Sequence, residues 1–295
     1  MSNKITGTGV AIVTPFLSNG EIDFISLTNL LNNIIKNEID FIVGLGTTSE
    51  AVTLTSDEKE SVMKHVIETA GGRVPIVMGI GGNNTKAVVD EIQSTNFKGI
   101  DAILSVAPYY NKPNQRGIYE HFKAIAETSI VPIIIYNVPG RTSSNISAET
   151  TLKLASNFSN IIAVKEASGD LGQVMDIIQN KPADFSVLSG DDALTFPMIA
   201  LGAEGVISVV ANAFPLEFSQ MVSFARNSDN EKARIIHYNL LNIIDLLFVD
   251  GNPAGIKATL EIMGIIGNKL RLPMVPILHE VYLKLAQSID NYKNK

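Results

Sequence analysis

Cysteine is absent from the 295 residues. That absence excludes disulfides, thiolate metal sites and a cysteine nucleophile. Positive charge is also scarce, with 23 Lys and Arg against 30 Asp and Glu and a formal net charge of −7. A nucleic-acid partner needs a basic face, so none is expected. No apolar stretch approaches the ~18 residues of a membrane span. The apolar run in MSNKITGTGVAIVTPF is too short for a signal peptide. The expectation is therefore a soluble, cytoplasmic protein with no membrane contact. His65, His121, His237 and His279 are scattered without ligand spacing, so no metal site is expected. Two glycine-rich stretches, GLGTTS (44–49) and GIGGNN (79–84), lack the third glycine of a dinucleotide fingerprint and read as strand-end turns.

Apolar residues make up 45% of the chain and charged residues 18%, enough for a large core. Short runs rich in Ile and Val recur: GVAIV (9–13), FIVGLG (41–46), VPIVMGI (74–80), IDAILSVA (100–107), VPIIIYN (131–137), IIAVKE (161–166), FSVLSG (185–190) and GVISVV (205–210). Helical spacing lies between them, as in Phe24, Leu27, Leu30, Leu31, Ile34 and Ile35. TSDEKE (55–60) and SAETTLKLAS (147–156) carry the capping residues of helix starts. Continuous apolar strands alternating with helices indicate a parallel sheet covered on both faces. Eight such units predict a (β/α)₈ TIM barrel, with an open doubly wound sheet as the rival. The spans 216–227, 229–248, 254–263 and 275–290 also read as helices. The expected organisation is a catalytic barrel over 1–228 and a C-terminal helical bundle over 229–295.

In a barrel, chemistry gathers at the C-terminal strand ends. Those ends carry Thr47, Thr48, Ser49 and Glu50; Tyr109 and Tyr110; Tyr136 and Arg141; Lys165 and Glu166; Asp191; and Ile207. Lys165 follows an apolar strand. It either snorkels outward and pairs with Glu166, or its ammonium is disfavoured by desolvation and the free amine attacks a ketone. In the second reading Glu166 faces the other side of the strand. Tyr136 ends the preceding strand. It is either a core aromatic or a phenol that shuttles protons beside the lysine. Thr47 and Thr48 are either a helix cap or donors to a small carboxylate. Arg141 is either a surface charge or a bidentate clamp for a second carboxylate.

With these residues stand the motifs TGTGVAIVTPF, GLGTTSEAVTL, APYYNKP, YNVPGRT, AVKEASGD and GVISVVAN. Together they resemble, over nearly the whole chain, the pyruvate-dependent class I aldolases. That family includes N-acetylneuraminate lyase, and the likeness is to its dihydrodipicolinate synthase branch. The resemblance implies condensation of pyruvate with L-aspartate 4-semialdehyde to 4-hydroxy-tetrahydrodipicolinate, in lysine and diaminopimelate biosynthesis. It implies that Lys165 forms an imine with pyruvate and that no separate cofactor takes part. Tyr136, Thr47 and Tyr110 would relay protons, and Thr47 and Thr48 would hold the pyruvate carboxylate. Arg141 would receive the semialdehyde carboxylate, and the Ile207 carbonyl would face the site. A tyrosine in the place of Tyr110 serves the neighbouring subunit in the family, which implies a homodimer at least and commonly a tetramer.

The alternatives are a lyase for N-acetylneuraminate or another keto-deoxy sugar acid, and a non-catalytic barrel that senses a keto acid. Serine at position 49 departs from the glycine common in the family and would cost ~1 kcal/mol if that position needs positive φ. The resemblance also implies a regulatory lysine site near the GTTSE loop. Asn83 and Tyr109 match it, whereas Ala51, Lys59 and Ala87 stand where serine, histidine and glutamate are common.

Overall fold

The computed structural model describes residues 5–294. Eight parallel strands close into a barrel in chain order. They are β1 (Gly7–Ala11), β2 (Phe41–Gly44), β3 (Ile76–Gly79), β4 (Ala102–Val106), β5 (Ile133–Asn137), β6 (Ile161–Glu166), β7 (Ser186–Ser189) and β8 (Gly205–Ser208). Each falls within, or overlaps, one of the eight apolar runs of the sequence. The fold is the (β/α)₈ TIM barrel, and the open sheet is excluded by the pairing of β8 with β1.

Side-chain alternation divides the strand residues between two apolar layers. Phe41, Val43, Ile134 and Tyr136 fill the barrel interior. Their neighbours Ile42, Ile133 and Ile135 pack outward against the helices. Because both faces are buried, the strands read as continuous apolar runs. One irregularity matters for the chemistry. Ile133 pairs with Ile161, but Ile134 pairs with Ala163, so β6 carries an extra residue at Ile162. Beyond this bulge the register sets Tyr136 against Lys165 and Asn137 against Glu166.

One helix covers the barrel after each strand: α1 (Phe24–Lys36), α2 (Ser56–Ala70), α3 (Thr85–Ser94) and α4 (Gln115–Thr128) after the first four. A single-turn helix α5 (Pro139–Thr142) precedes α6 (Ala148–Asn157), and α7 (Leu171–Asn180), α8 (Thr195–Ala200) and α9 (Pro215–Arg226) complete the ring. The sequence's capping signals are used: Thr55 and Glu58 form a capping box on α2, and Ser147 caps α6. Three more helices follow, α10 (Asn230–Phe248), α11 (Ala254–Ile262) and α12 (His279–Lys293). α10 packs against α8, α9, α11 and α12. The last helix starts at His279 rather than at the expected 275. Pro276 disfavours helical geometry at Val275, and the Leu278 N–H is held by Asp250 Oδ2 at 2.7 Å. Among the described residues no helix is long and apolar enough to cross a membrane.

Candidate active site

A cavity of about 510 Å³ opens at the C-terminal end of the barrel. Ala11, Val43, Gly79, Leu104, Tyr136, Lys165, Gly190 and Val209 line it, one from each strand or the residue just beyond. Apolar residues such as Ala11, Val43 and Leu104 line it beside the buried polar Lys165 and Thr48, which suits a small, partly desolvated ligand.

Lys165 reaches this cavity with its side chain nearly enclosed, at 6% exposure. Its Nζ lies 4.2 Å from the centroid of the Tyr136 ring. Among the described residues no carboxylate forms an ion pair with it. The adjacent Glu166 faces the opposite side of the strand. There it accepts hydrogen bonds from Asn137 Nδ2 at 3.1 Å, Ser168 N at 2.8 Å and Gln173 Nε2 at 2.9 Å. Those bonds satisfy Glu166 locally, so it is not the partner of Lys165. Space for the lysine stem comes from Gly190, where a Cβ would meet Lys165 Cε at 3.0 Å and Ala167 Cβ at 2.7 Å.

A second buried lysine supplies the contrast. Lys257 is fully enclosed, and its Nζ contacts Glu50 Oε1 at 2.5 Å, donates to the Lys269 carbonyl at 2.7 Å and lies 4.2 Å from the Phe16 ring centroid. Burial pushes its ammonium down to about 8, against the opposing pull of Glu50. Lys257 is compensated and outside the cavity, whereas Lys165 is in the cavity without an ion pair. Lys165 is thus the buried lysine that faces the cavity without an ion pair.

The loop after β2 supplies the polar wall. Leu45 and Glu50 adopt left-handed conformations at φ 56° and 54°, and between them Thr47–Ser49 form one 3-10 turn. The turn's own hydrogen bonds begin with Ser49 N to the Gly46 carbonyl, so the Thr47 and Thr48 amides lie at its open start. Thr47 and Thr48 both line the cavity. Ser49 has no positive φ, so the strain expected there does not fall on it. Instead its Oγ donates to the Ile12 carbonyl at 2.6 Å, and its own carbonyl accepts from Thr14 Oγ1 at 2.8 Å. Arg141, on α5, is exposed and lines the same cavity.

Lys165, Tyr136, Thr47, Thr48 and Arg141 thus stand around one cavity of a (β/α)₈ barrel. The family model for the dihydrodipicolinate synthetase family matches residues 4–292. The chain belongs to that family. It is 54% identical over 284 residues to 4-hydroxy-tetrahydrodipicolinate synthase of Parabacteroides distasonis, covering 96% of each. Among solved structures it resembles dihydrodipicolinate synthase from Aquifex aeolicus, with 42% identity, a TM-score of 0.94 and 98% of each chain covered. It also resembles the chloride-inhibited dihydrodipicolinate synthase from Acinetobacter baumannii complexed with pyruvate. There the identity is 38% and the TM-score 0.95, over 98% of this chain and 99% of that one.

Within this member of the dihydrodipicolinate synthetase family, Lys165, Tyr136, Thr47, Thr48 and Arg141 share one cavity. Two of the expected residues stand apart. Tyr110 is 88% exposed with φ 73° and does not line the cavity of its own chain. The Ile207 side chain packs in the barrel interior, and Val209, two residues on, lines the cavity. Of the expected regulatory residues, Ala51, Lys59 and Tyr109 line the outer part of the cavity. Asn83 Nδ2 donates to the Tyr109 carbonyl at 3.3 Å, and Ala87 is exposed on α3.

Sequence reasoning missed Asn252, Phe248 and Glu91, all cavity residues. It also missed Asp192, buried beneath the β8 turn, whose Oδ2 accepts from Val209 N at 3.0 Å and Val210 N at 2.8 Å. Burial pushes that carboxyl up to about 6. Glu91 is one helical turn beyond Ala87, a spacing readable from the sequence. Phe248 ends α10 and Asn252 lies in the turn between α10 and α11, and no strand-end signal marks them. Among the described residues no group of three or more His, Asp or Glu side chains could hold a metal ion.

Proposed function

We propose that the chain is a 4-hydroxy-tetrahydrodipicolinate synthase, condensing pyruvate with L-aspartate 4-semialdehyde in the cytoplasm. The observation that carries this reading is Lys165 enclosed without an ion pair against Tyr136, with Arg141 lining the same cavity. Lys165 Nζ attacks the pyruvate ketone, and the carbinolamine loses water to give an imine. Tyr136 passes protons in that step, with Thr47 and Tyr110 completing the relay. No separate cofactor is needed, because the imine itself acts as the electron sink. Loss of a methyl proton gives the enamine, whose carbon forms the new bond to the semialdehyde's aldehyde. The adduct's own amine then displaces Lys165 from the imine carbon and closes the ring.

Thr47 and Thr48 hold the pyruvate carboxylate, and the Ile207 carbonyl faces the bound substrates. Arg141 takes the second carboxylate in bidentate fashion. Both substrates are anions and the chain carries −7, so local donors rather than bulk attraction must hold them. The exposure and left-handed backbone of Tyr110 support its service to a second copy, hence a homodimer at least and a tetramer as the full assembly. The alternative substrates, sugar acids of the N-acetylneuraminate class, carry no carboxylate for Arg141 to hold at the aldehyde end. A coupled assay decides between them. Turnover of pyruvate with aspartate semialdehyde is expected, and turnover with N-acetylmannosamine alone would overturn the assignment.

A further inference from the structure

The turn that carries Thr48 is held from two directions. On the β1 side, Thr14 and Ile12 bond to Ser49. On the other side the grip comes from residues about 200 positions later in the chain. Asn252 Nδ2 donates to Thr48 Oγ1 at 2.9 Å, and both side chains are buried, at 5% and 3% exposure. Two residues past Thr48, Glu50 receives the Lys257 ammonium on one oxygen and the Arg271 N–H on the other, at 3.0 Å. Both Thr48 and Asn252 line the cavity. The other atom of the Asn252 amide, Oδ1, is buried without a hydrogen-bond partner. A buried amide that leaves one end unsatisfied is costly and calls for a reason.

We propose that Asn252 is a positioning residue that aims the Thr48 hydroxyl proton at the pyruvate carboxylate. The inference rests on the reading in which Thr48 binds that carboxylate. A threonine hydroxyl has one proton to donate and two acceptor positions. With the Asn252 N–H filling an acceptor position, the hydroxyl proton is turned away from Asn252 and is left for the ligand. Preorganisation of this kind lowers the cost of binding without touching the reacting carbons. It also gives the C-terminal helices a part in the site: α11 begins at Ala254, just after Asn252, and Lys257 on it ties down the same loop.

The test is steady-state kinetics on Asn252→Ala, Asn252→Asp, Thr48→Val and the double variant Thr48→Val with Asn252→Ala. Asn252→Ala should raise KM for pyruvate about tenfold, with kcat within a factor of about 2 and KM for the semialdehyde unchanged. Asn252→Asp keeps the shape but accepts the Thr48 proton itself and adds a like charge, so its pyruvate KM should rise further. The double variant should be no worse than Thr48→Val, because a residue acting through Thr48 has nothing left to act on. Additive effects, or an Asn252→Asp variant with unchanged pyruvate KM, overturn the proposal. If Thr48→Val itself leaves pyruvate KM unchanged, the carboxylate reading fails first, and that outcome is distinguishable from failure of the Asn252 role alone.

Discussion

Tyr136 and Lys165 are register partners on β5 and β6, both inward, with the lysine Nζ 4.2 Å from the tyrosine ring centroid. Their neighbours Asn137 and Glu166 form the matching outward pair, with Asn137 Nδ2 3.1 Å from each Glu166 carboxylate oxygen. Two successive pairs thus place the lysine and the carboxylate on opposite faces of β6. The carboxylate is kept from quenching the amine.

Lys165→Ala should abolish covalent trapping when pyruvate and borohydride are added together, as read by mass spectrometry. An adduct persisting in that variant would assign the imine elsewhere. Gly190→Ala offers a gentler probe of the same group. Its new Cβ would crowd Lys165 Cε and Ala167 Cβ at 3.0 and 2.7 Å. Overpacking of this kind costs ~1–3 kcal/mol. Reaction of the displaced amine should slow about tenfold or more, visible as a slower single-turnover trapping rate.

Arg141→Ala should leave pyruvate trapping intact while weakening use of the semialdehyde. Because Arg141 is exposed, the expected loss is that of a charge-assisted hydrogen bond, ~1.5–3 kcal/mol in transition-state binding. The measurement is kcat/KM for each substrate with the other saturating. An unchanged value for the semialdehyde would remove Arg141 from its proposed role.

How much of this was legible before the structure depended on the kind of signal. The strands were visible because both barrel faces are apolar, and Lys165 stood out as a charge ending such a run. Which way Lys165 points was inferable from alternation with Glu166. The bulge at Ile162 was not, since a run of apolar residues looks the same with or without an extra one. Asn252 was invisible for a different reason. Its partner Thr48 lies 204 residues earlier, and nothing local in GNPAG signals a cavity. The strain expected at Ser49 falls on Leu45 and Glu50 instead, because the chain turns at the two ends of the 3-10 segment.

Acid should weaken the attachment between the start of α2 and the C-terminal segment. Arg271 clasps Glu58 at 2.6 and 2.9 Å, and with the Thr55 amide it pulls that carboxyl down to about 2 from an ordinary 4.5. The folded value lies below the unfolded one, so the unfolded chain binds the proton first. The stabilisation is full above about 4.5 and is lost as pH falls toward 2. His121, pushed down to about 4 by burial, acts in the same sense from about 6.5 downward. Glu58→Gln should flatten the Glu58 part of this limb. Because the pair is partly solvated, the loss at neutral pH should be ~1 kcal/mol or less. Denaturant titrations from pH 7 to pH 3 measure it, and an unchanged slope below pH 4.5 would discount the pair.

Lysine should inhibit this enzyme weakly or not at all. The outer cavity presents Ala51, Lys59, Tyr109 and Glu91, and Ala87 is exposed on the same helix as Glu91. A lysine ligand brings an ammonium on its side chain that needs an acceptor, and Ala87 has none to give. Loss of a charge-assisted hydrogen bond forfeits ~1.5–3 kcal/mol, and a cation facing a cationic ligand opposes binding further. Glu91 does return a carboxylate one turn along α3, but Lys59 lines the same cavity and repels a cationic ligand. The balance therefore remains against a cationic guest. L-lysine titrated into an assay saturated with both substrates should produce little effect, and half-inhibition at submillimolar lysine would refute the prediction. The reverse experiment separates missing acceptors from a misplaced site. Lys59→His combined with Ala87→Glu should increase lysine sensitivity by tenfold or more, following the ~1.4 kcal/mol that one decade represents, and no gain would mean that lysine does not bind here.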